Sequence, residues 1–246
     1  LWQVVFNLSR LFSFFNSKPC LNGLLSHNMK HLSPNEFKNL CKNAEILAED
    51  NFGIKVMRFE NKTVLKLFRI KHLISSARIC PYSIRFANNA RMLASLNIPA
   101  IKIIDTFKIP SIKRTAVLYE ELDGLTLSEH LKKNGFTPEI LKQLAVFLAT
   151  LHNKGIYFRS IHFSNIFLLS GNELALIDIT DVKKKNRGLG IYRRIRNFHH
   201  FLQYKDDKMM LTPCYKKFLE EYIEKSKLVQ KKKNILKNRL IAVFNS

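Results

Sequence analysis

Apolar positions in the first part of the chain recur at helical spacing and then at strand spacing. Phe37, Leu40, Cys41, Ala44, Leu47 and Ala48 share one face of a 3.6-residue repeat, which predicts an amphipathic helix over 34–49. Ser33, Pro34 and Glu36 mark its start, with Ser33 as cap and Pro34 in the first turn. At Gly53 the repeat changes to alternation. IKVMRF and TVLKLF flank the turn ENK and predict a hairpin. Ile84, Ala87, Ala90, Leu93 and Ala94 then share one face of a helix over 81–96. IKIIDTF and TAVLYEEL follow as two strands joined by the loop KIPSIKR. After GLTLSEHL the pattern turns helical. Pro138 opens a helix whose inner face is Leu141, Leu144, Leu148 and Leu151. The loop YFRSIHFSNIF comes next, then short strands NIFLL and LALID around the turn SGNE, and a helical stretch over 192–244. Strands with one helix followed by mostly helices predict an α+β protein in two parts, with a hinge near Glu121 to Gly124. No internal repeat interrupts this order.

Composition narrows the partners more than the fold. Hydrophobic residues make up 46% of 246, enough to bury a core, so wholesale disorder is excluded. The formal net charge of +22 points to nucleic acid, phosphorylated ligands or an anionic membrane face. Cys20, Cys41, Cys80 and Cys214 are scattered without a CxxC pair, which argues against a disulfide framework or a zinc site and for a reducing cytosol. Residues 1–28 are rich in large apolar groups, but Arg10 and Lys18 interrupt any span of ~18 uncharged residues that a transmembrane helix needs. Two readings of this extension stand: a domain that starts at Met29, with 1–28 not translated, and a membrane-surface helix.

Phosphoryl transfer needs positive charge on phosphates, a metal held by hard oxygens, and a group that orients the attacking hydroxyl. Lys66 lies mid-strand in VLKLF, ahead of a helix, where a phosphate-gripping lysine belongs; a lysine pointing out of an edge strand has the same local pattern. The usual glutamate partner on that helix is missing, because Asp105 is the only acid between Lys66 and Tyr119, and the helix offers Asn88, Asn89 and Arg91. Gly53 is the single glycine of a phosphate-covering loop, a weak signal that any turn shares. Asn165 and Asp178 are stronger. A hairpin separates them and brings both oxygens together, as a magnesium site requires; a turn Asn and a capping Asp are the bland counterpart. Asp181 is a substitute ligand.

These segments resemble the bacterial lipopolysaccharide core kinases, the InaA-like and toluene-tolerance branch of the kinase-like superfamily. The resemblance is carried by KVMRFENKTVLKLFRIK, RFANNARMLASLNIPAIKIIDTF, TAVLYEELDGLTL, LHNKGIYFRSIHFSNIFLL, and LALIDITDV followed by RRIRNFHHFLQY, over about residues 50–207. It implies a two-lobed protein-kinase-like fold, with a β-sheet lobe over 29–122 and a mostly helical lobe over 123–246. It also implies ATP and Mg2+. By that resemblance Lys66 grips phosphates, Asn165 and Asp178 hold the metal, and Glu120 to Leu122 form the adenine-facing hinge.

The departure lies in the loop. Phe158-Arg159-Ser160 stands where protein kinases carry His-Arg-Asp. Serine accepts no proton at neutral pH, and losing a general base costs about 10²–10⁴-fold rather than everything. His162, two residues on, is a replacement base, or else a loop histidine packed on Phe163. Arg159 is expected to brace the loop or a phosphate. From Lys183 to Arg239 the chain carries KKKNR, RRIR, KK and KKK, a solvated face or a surface for an anionic partner. A lipopolysaccharide core sugar, or another anionic envelope precursor, fits that charge at the cytoplasmic face of the inner membrane. Nucleic acid fits the charge but not the motifs, since no helix-turn-helix, RNA-binding aromatic signature or zinc finger is legible. The reading is therefore an ATP-dependent sugar kinase, with a kinase-like pseudoenzyme that binds nucleotide or precursor without transfer as the alternative.

Overall fold

The computed structural model describes residues 29–70 and 81–245. The expectation about 1–28 lies outside the described residues. The protein is α+β, built from one six-stranded mixed sheet, two small sheets and eight helices among the described residues.

The large sheet contains β1 (Lys30–His31), β2 (Ala44–Asp50), β3 (Gly53–Phe59), β4 (Thr63–Arg69), β5 (Ile103–Ile109) and β6 (Arg114–Glu120), in the order β1-β5-β6-β4-β3-β2. Helix α1 (Pro34–Cys41) starts with the expected capping box, in which the Ser33 hydroxyl accepts from Glu36 N–H and the Glu36 carboxylate accepts from Ser33 N–H. It stops at Cys41, and residues 44–50 are strand β2 rather than the second half of a helix. The helical spacing there has a different cause. Register shifts between Ile46 and Glu49 break the alternation, so Ala44 and Ala48 turn partly inward while Ile46 and Leu47 face solvent on the sheet edge.

Alternation along β4 sorts its side chains to opposite faces. Leu65 and Leu67 join Met57, Phe107, Ile109 and Ala116 in a core covered by α1. Lys66 and Phe68 face α2 (Tyr82–Ser95), where Phe68 meets Phe86 at 5.5 Å between ring centroids. Val117 is opposite Lys66 on β6, and Tyr119 is opposite Val64, so both strands line one surface.

Beyond β6 the chain forms β7 (Gly124–Thr126), α3 (Leu127–Asn134), α4 (Pro138–Asn153), β8 (Ile156–Phe158), β9 (Ile166–Leu169), β10 (Leu174–Leu176) and β11 (Val182–Lys184). Four helices follow: α5 (Ile191–Leu202), α6 (Lys205–Leu211), α7 (Tyr215–Lys225) and α8 (Gln230–Asn245). A continuous apolar core runs from Phe86, Ala90 and Leu93 through α4 to Phe244. Among the described residues no helix is long and apolar enough to cross a membrane.

Candidate active site

The loop between β8 and β9 is fixed from four directions. Gly155, just before β8, has φ +78°, and a Cβ there would strike the carbonyl oxygens of Lys185 and Arg187, so the strand that leads into the loop needs glycine at its start. Phe158, the last residue of β8, is clamped by Asn197 of α5, which donates to its carbonyl at 2.7 Å and accepts from its N–H at 3.4 Å. Asn165 Nδ2 donates to the Ser160 carbonyl at 2.8 Å. The Asp207 carboxylate, from α6, accepts from Phe163 N–H at 2.6 Å. Asp207 is buried, and that burial pushes its carboxyl up to about 6, against the opposing pull of the Phe163 hydrogen bond.

Asn197 is itself part of a buried network. His152 Nε2 meets Asn197 Oδ1 at 3.0 Å and His152 Nδ1 meets the Tyr222 hydroxyl at 2.7 Å. Arg194 donates to Tyr222 Oη at 3.1 Å and to Asn153 Oδ1 at 2.9 Å. Burial, reinforced by the Arg194 charge, holds His152 down at about 3, so it stays neutral and structural.

Lys66 and Asp178 come together: Lys66 Nζ is 2.7 Å from Asp178 Oδ1. Lys66 is only 16% exposed, and its ammonium lies 5.2 Å from the Phe86 ring centroid. The pair joins the large sheet to the segment after β10. Asp178 holds a left-handed backbone at φ 48°, ψ 49°, which turns its carboxylate away from the regular path; Asp tolerates that region better than most residues. Tyr119 borders the pair. Burial, then the Asp178 and Glu121 carboxylates, push its phenol above its ordinary range.

Asn165 is nearly buried, and its backbone carbonyl accepts from Ile177 N–H at 3.0 Å, which ties it to the strand leading to Asp178. Its Nδ2 is committed to the Ser160 carbonyl, so Oδ1 is the end left to act as an acceptor or ligand. The Ser160 hydroxyl donates to Asp181 Oδ2 at 2.8 Å. A carboxylate therefore does stand at the loop, although it comes from the segment after Asp178. His162 packs on Tyr204 with centroids 4.4 Å apart, and burial lowers its imidazole below the ordinary range against the pull of Asp178. Burial thus favours the neutral imidazole, the form that can accept a proton.

The other predicted residues are more peripheral. Arg159 is exposed. Gly53, at φ +101°, closes the β2–β3 turn at the far end of the hairpin. There Arg114 holds the Phe52 and Ile54 carbonyls and Arg69 lies over the Phe52 ring, so Gly53 is not joined to the Lys66–Asp178 pair. Glu120 pairs with Lys102 at the surface at 3.3 Å. Its N–H donates to the Lys102 carbonyl and the Glu121 N–H to the Lys62 carbonyl. Leu122 is partly buried against the main core.

The sequence reading missed the role of Asn89. From α2 its amide donates to the carbonyls of Ile179, Val182 and Thr180 at 2.7, 3.1 and 3.3 Å. The helix that lacks a glutamate for Lys66 thus grips the segment that carries Asp178 and Asp181. A polar side chain one turn from Phe86, beside Ala90 on the inner face, was the available signal.

No family model matches the chain and no curated protein matches it. Among solved structures, the crystal structure of monomeric WbdD aligns at a TM-score of 0.47 and 18% identity. The alignment covers 78% of this chain and 44% of that one, so the chain spans less than half of its length. A likeness at that score carries no argument about activity.

Proposed function

We propose that the chain is an ATP-dependent phosphotransferase acting on a sugar of the lipopolysaccharide core. The sheet part (29–122) and the helical part (123–246) would be two lobes of a protein-kinase-like fold, hinged at Glu120 to Leu122. The Lys66–Asp178 pair carries this reading, because it sets a sheeted lysine against a loop carboxylate that follows directly on the Ile177–Asn165 backbone bond and precedes Asp181, the partner of Ser160. Phosphoryl transfer asks mainly for positioning and charge, and these are the groups it asks for.

Among the described residues no three His, Cys, Asp or Glu side chains cluster as a self-sufficient metal site. Magnesium fits nonetheless, since it takes one or two protein oxygens and completes its shell with substrate phosphates and water. Asn165 Oδ1 and Asp178 would be those ligands. ATP would supply the phosphoryl group and Mg2+ would offset its charge, and Lys66, now paired with Asp178, would be the cation that meets phosphate oxygens. Asp181, oriented by the Ser160 hydroxyl, directs the acceptor hydroxyl, and neutral His162 is within the same loop to take its proton. Because Glu120 and Glu121 N–H are already bonded within the protein, an adenine edge would meet backbone groups from Leu122 onward. The basic surface supports a cytoplasmic enzyme peripheral on the inner membrane.

The pseudoenzyme reading keeps one observation in its favour: α2 gives Lys66 no acid, and Lys66 pairs with the metal-site carboxylate itself. Magnesium-dependent ATP binding and turnover by the full chain, with purified lipopolysaccharide core as acceptor, separates the two. Transfer that Asp178→Asn abolishes supports the kinase. Binding without transfer supports the pseudoenzyme, and absence of ATP binding sinks the kinase and leaves only a pseudoenzyme that binds the precursor.

A further inference from the structure

Helix α5 buries Arg194, Asn197, Phe198, Phe201 and Leu202 and turns a second face outward. Tyr192, Arg196, His199 and Gln203 recur on that face at helical spacing. Together with Ile195 and His200 they form one open surface along the helix, a shallow groove whose lining among the described residues comes from α5 and its C-cap alone. Three features make it more than a solvated stripe. His200 Nε2 is buried and has no hydrogen-bond partner, a cost that native structures usually avoid. Arg159, Arg196 and His199 all act on the His200 ring and, after burial, hold its imidazole below the ordinary range, so positive charge converges here without a facing acid among them. Tyr192 is 73% exposed, a flat face with nothing packed on it that would shield it from water. The groove also adjoins the loop. Tyr157, on β8, has its ring 6.1 Å from His200, and Arg159 sits next to Ser160.

We propose that the α5 groove is an anion subsite that binds a phosphate monoester carried by the acceptor, with Arg159, Arg196 and His199 donating to its oxygens, His200 turning Nε2 toward it, and Tyr192 stacking on the attached sugar. This rests on the phosphotransferase reading for its place in the reaction, but binding itself needs no nucleotide. Charge-assisted contacts to phosphate are the strongest hydrogen bonds available at such a surface. An arginine that the motif comparison places in the loop thereby acquires a ligand.

The test is equilibrium binding of a hexose 6-phosphate to the full chain, without ATP, beside the unphosphorylated hexose and vesicles containing phosphatidylglycerol. Arg196→Ala/His199→Ala removes one groove cation and one groove imidazole from exposed positions. Lys232→Ala/Lys233→Ala removes a larger positive charge from α8 as a control. The expected result is saturable binding of the sugar phosphate, at least about tenfold weaker in the groove variant, unchanged in the control, and absent for the plain hexose. Equal binding by wild type and groove variant overturns the proposal, as does an equal loss in the control. Binding to vesicles that depends on Arg196, without binding of the soluble sugar phosphate, also overturns it in favour of a membrane contact. Asp178→Asn keeps the two readings apart: it removes nucleotide binding if the phosphotransferase reading holds and leaves sugar-phosphate binding intact.

Discussion

Asp207 carries a charge where charge is expensive, and its replacement by asparagine has a computable sign. The carboxyl ordinarily titrates near 3.8 and is pushed up to about 6 by burial, with Asp206 adding to the shift and Phe163 N–H and Lys132 opposing it. A carboxyl that holds its proton more tightly when folded stabilises the protein at low pH, and that contribution is lost as pH rises through about 4 to 6. At about 1.4 kcal/mol per pH unit the full effect is on the order of 3 kcal/mol at pH 7.5. Asparagine keeps an oxygen for Phe163 N–H and carries no charge. Asp207→Asn should therefore match wild type near pH 4 and exceed it by roughly 1–3 kcal/mol at pH 7.5. Denaturant unfolding from pH 4 to 7.5 reads this directly. Parallel curves, or a variant less stable at pH 7.5 than at pH 4 relative to wild type, would refute the argument. Asp207→Ala removes the acceptor as well, and should lose stability at every pH. If wild type keeps a charged Asp207 at such a cost, the charge has a task at the loop, and Asp207→Asn should lose activity while gaining stability.

Other perturbations follow from single contacts. Asp178→Asn keeps a residue that tolerates the left-handed backbone and loses one half-exposed ion pair, so its melting temperature should stay within a few degrees of wild type while Mg2+-dependent ATP binding disappears. Asn89→Leu strips three carbonyls of their donor and should cost about 1–3 kcal/mol in denaturant unfolding, with faster proteolysis within 179–182. Tyr222→Phe leaves His152 and Arg194 each short of a buried partner and should cost about 2–4 kcal/mol by the same measurement. Gly155→Ala meets two backbone oxygens at a positive φ and should lower soluble yield and stability by more than ~2 kcal/mol.

The hairpin of β3 and β4, helix α2 and helix α4 were legible because each obeys one period over its whole length. Strand β2 was not, because its bulge imitates helical spacing over Ala44 and Ala48. The parallel pairing of the two-residue β1 with β5 leaves no pattern at all. In the site, Lys66 and Asp178 meet because alternation along β4 and the hairpin after Asn165 determine where each side chain arrives. Asn89 and Asp207 act across long stretches of chain. Locally, one is a polar residue in a helix and the other an acid in KDDKMML, where charge reads as solvated. Only the tertiary structure turns Asp207 inward to Phe163.

The serine in the loop looked like the loss of a carboxylate, and the geometry argues for its relocation. The Ser160 hydroxyl donates a hydrogen bond to Asp181 Oδ2, so it serves as a bracket for an acid delivered from the segment after Asp178. That segment is gripped by Asn89, one of the polar residues on α2, the helix that carries no glutamate for Lys66. The two departures from the kinase pattern thus meet in one place. Asn89 positions the segment, and Ser160 orients the carboxylate it carries. Restoring an aspartate at 160 would then set two carboxylates within hydrogen-bond distance, and one would have to bind a proton or move away. Ser160→Asp should therefore reduce both stability and transfer. Ser160→Ala should cost transfer more than stability, because it frees Asp181 to turn without introducing a second charge.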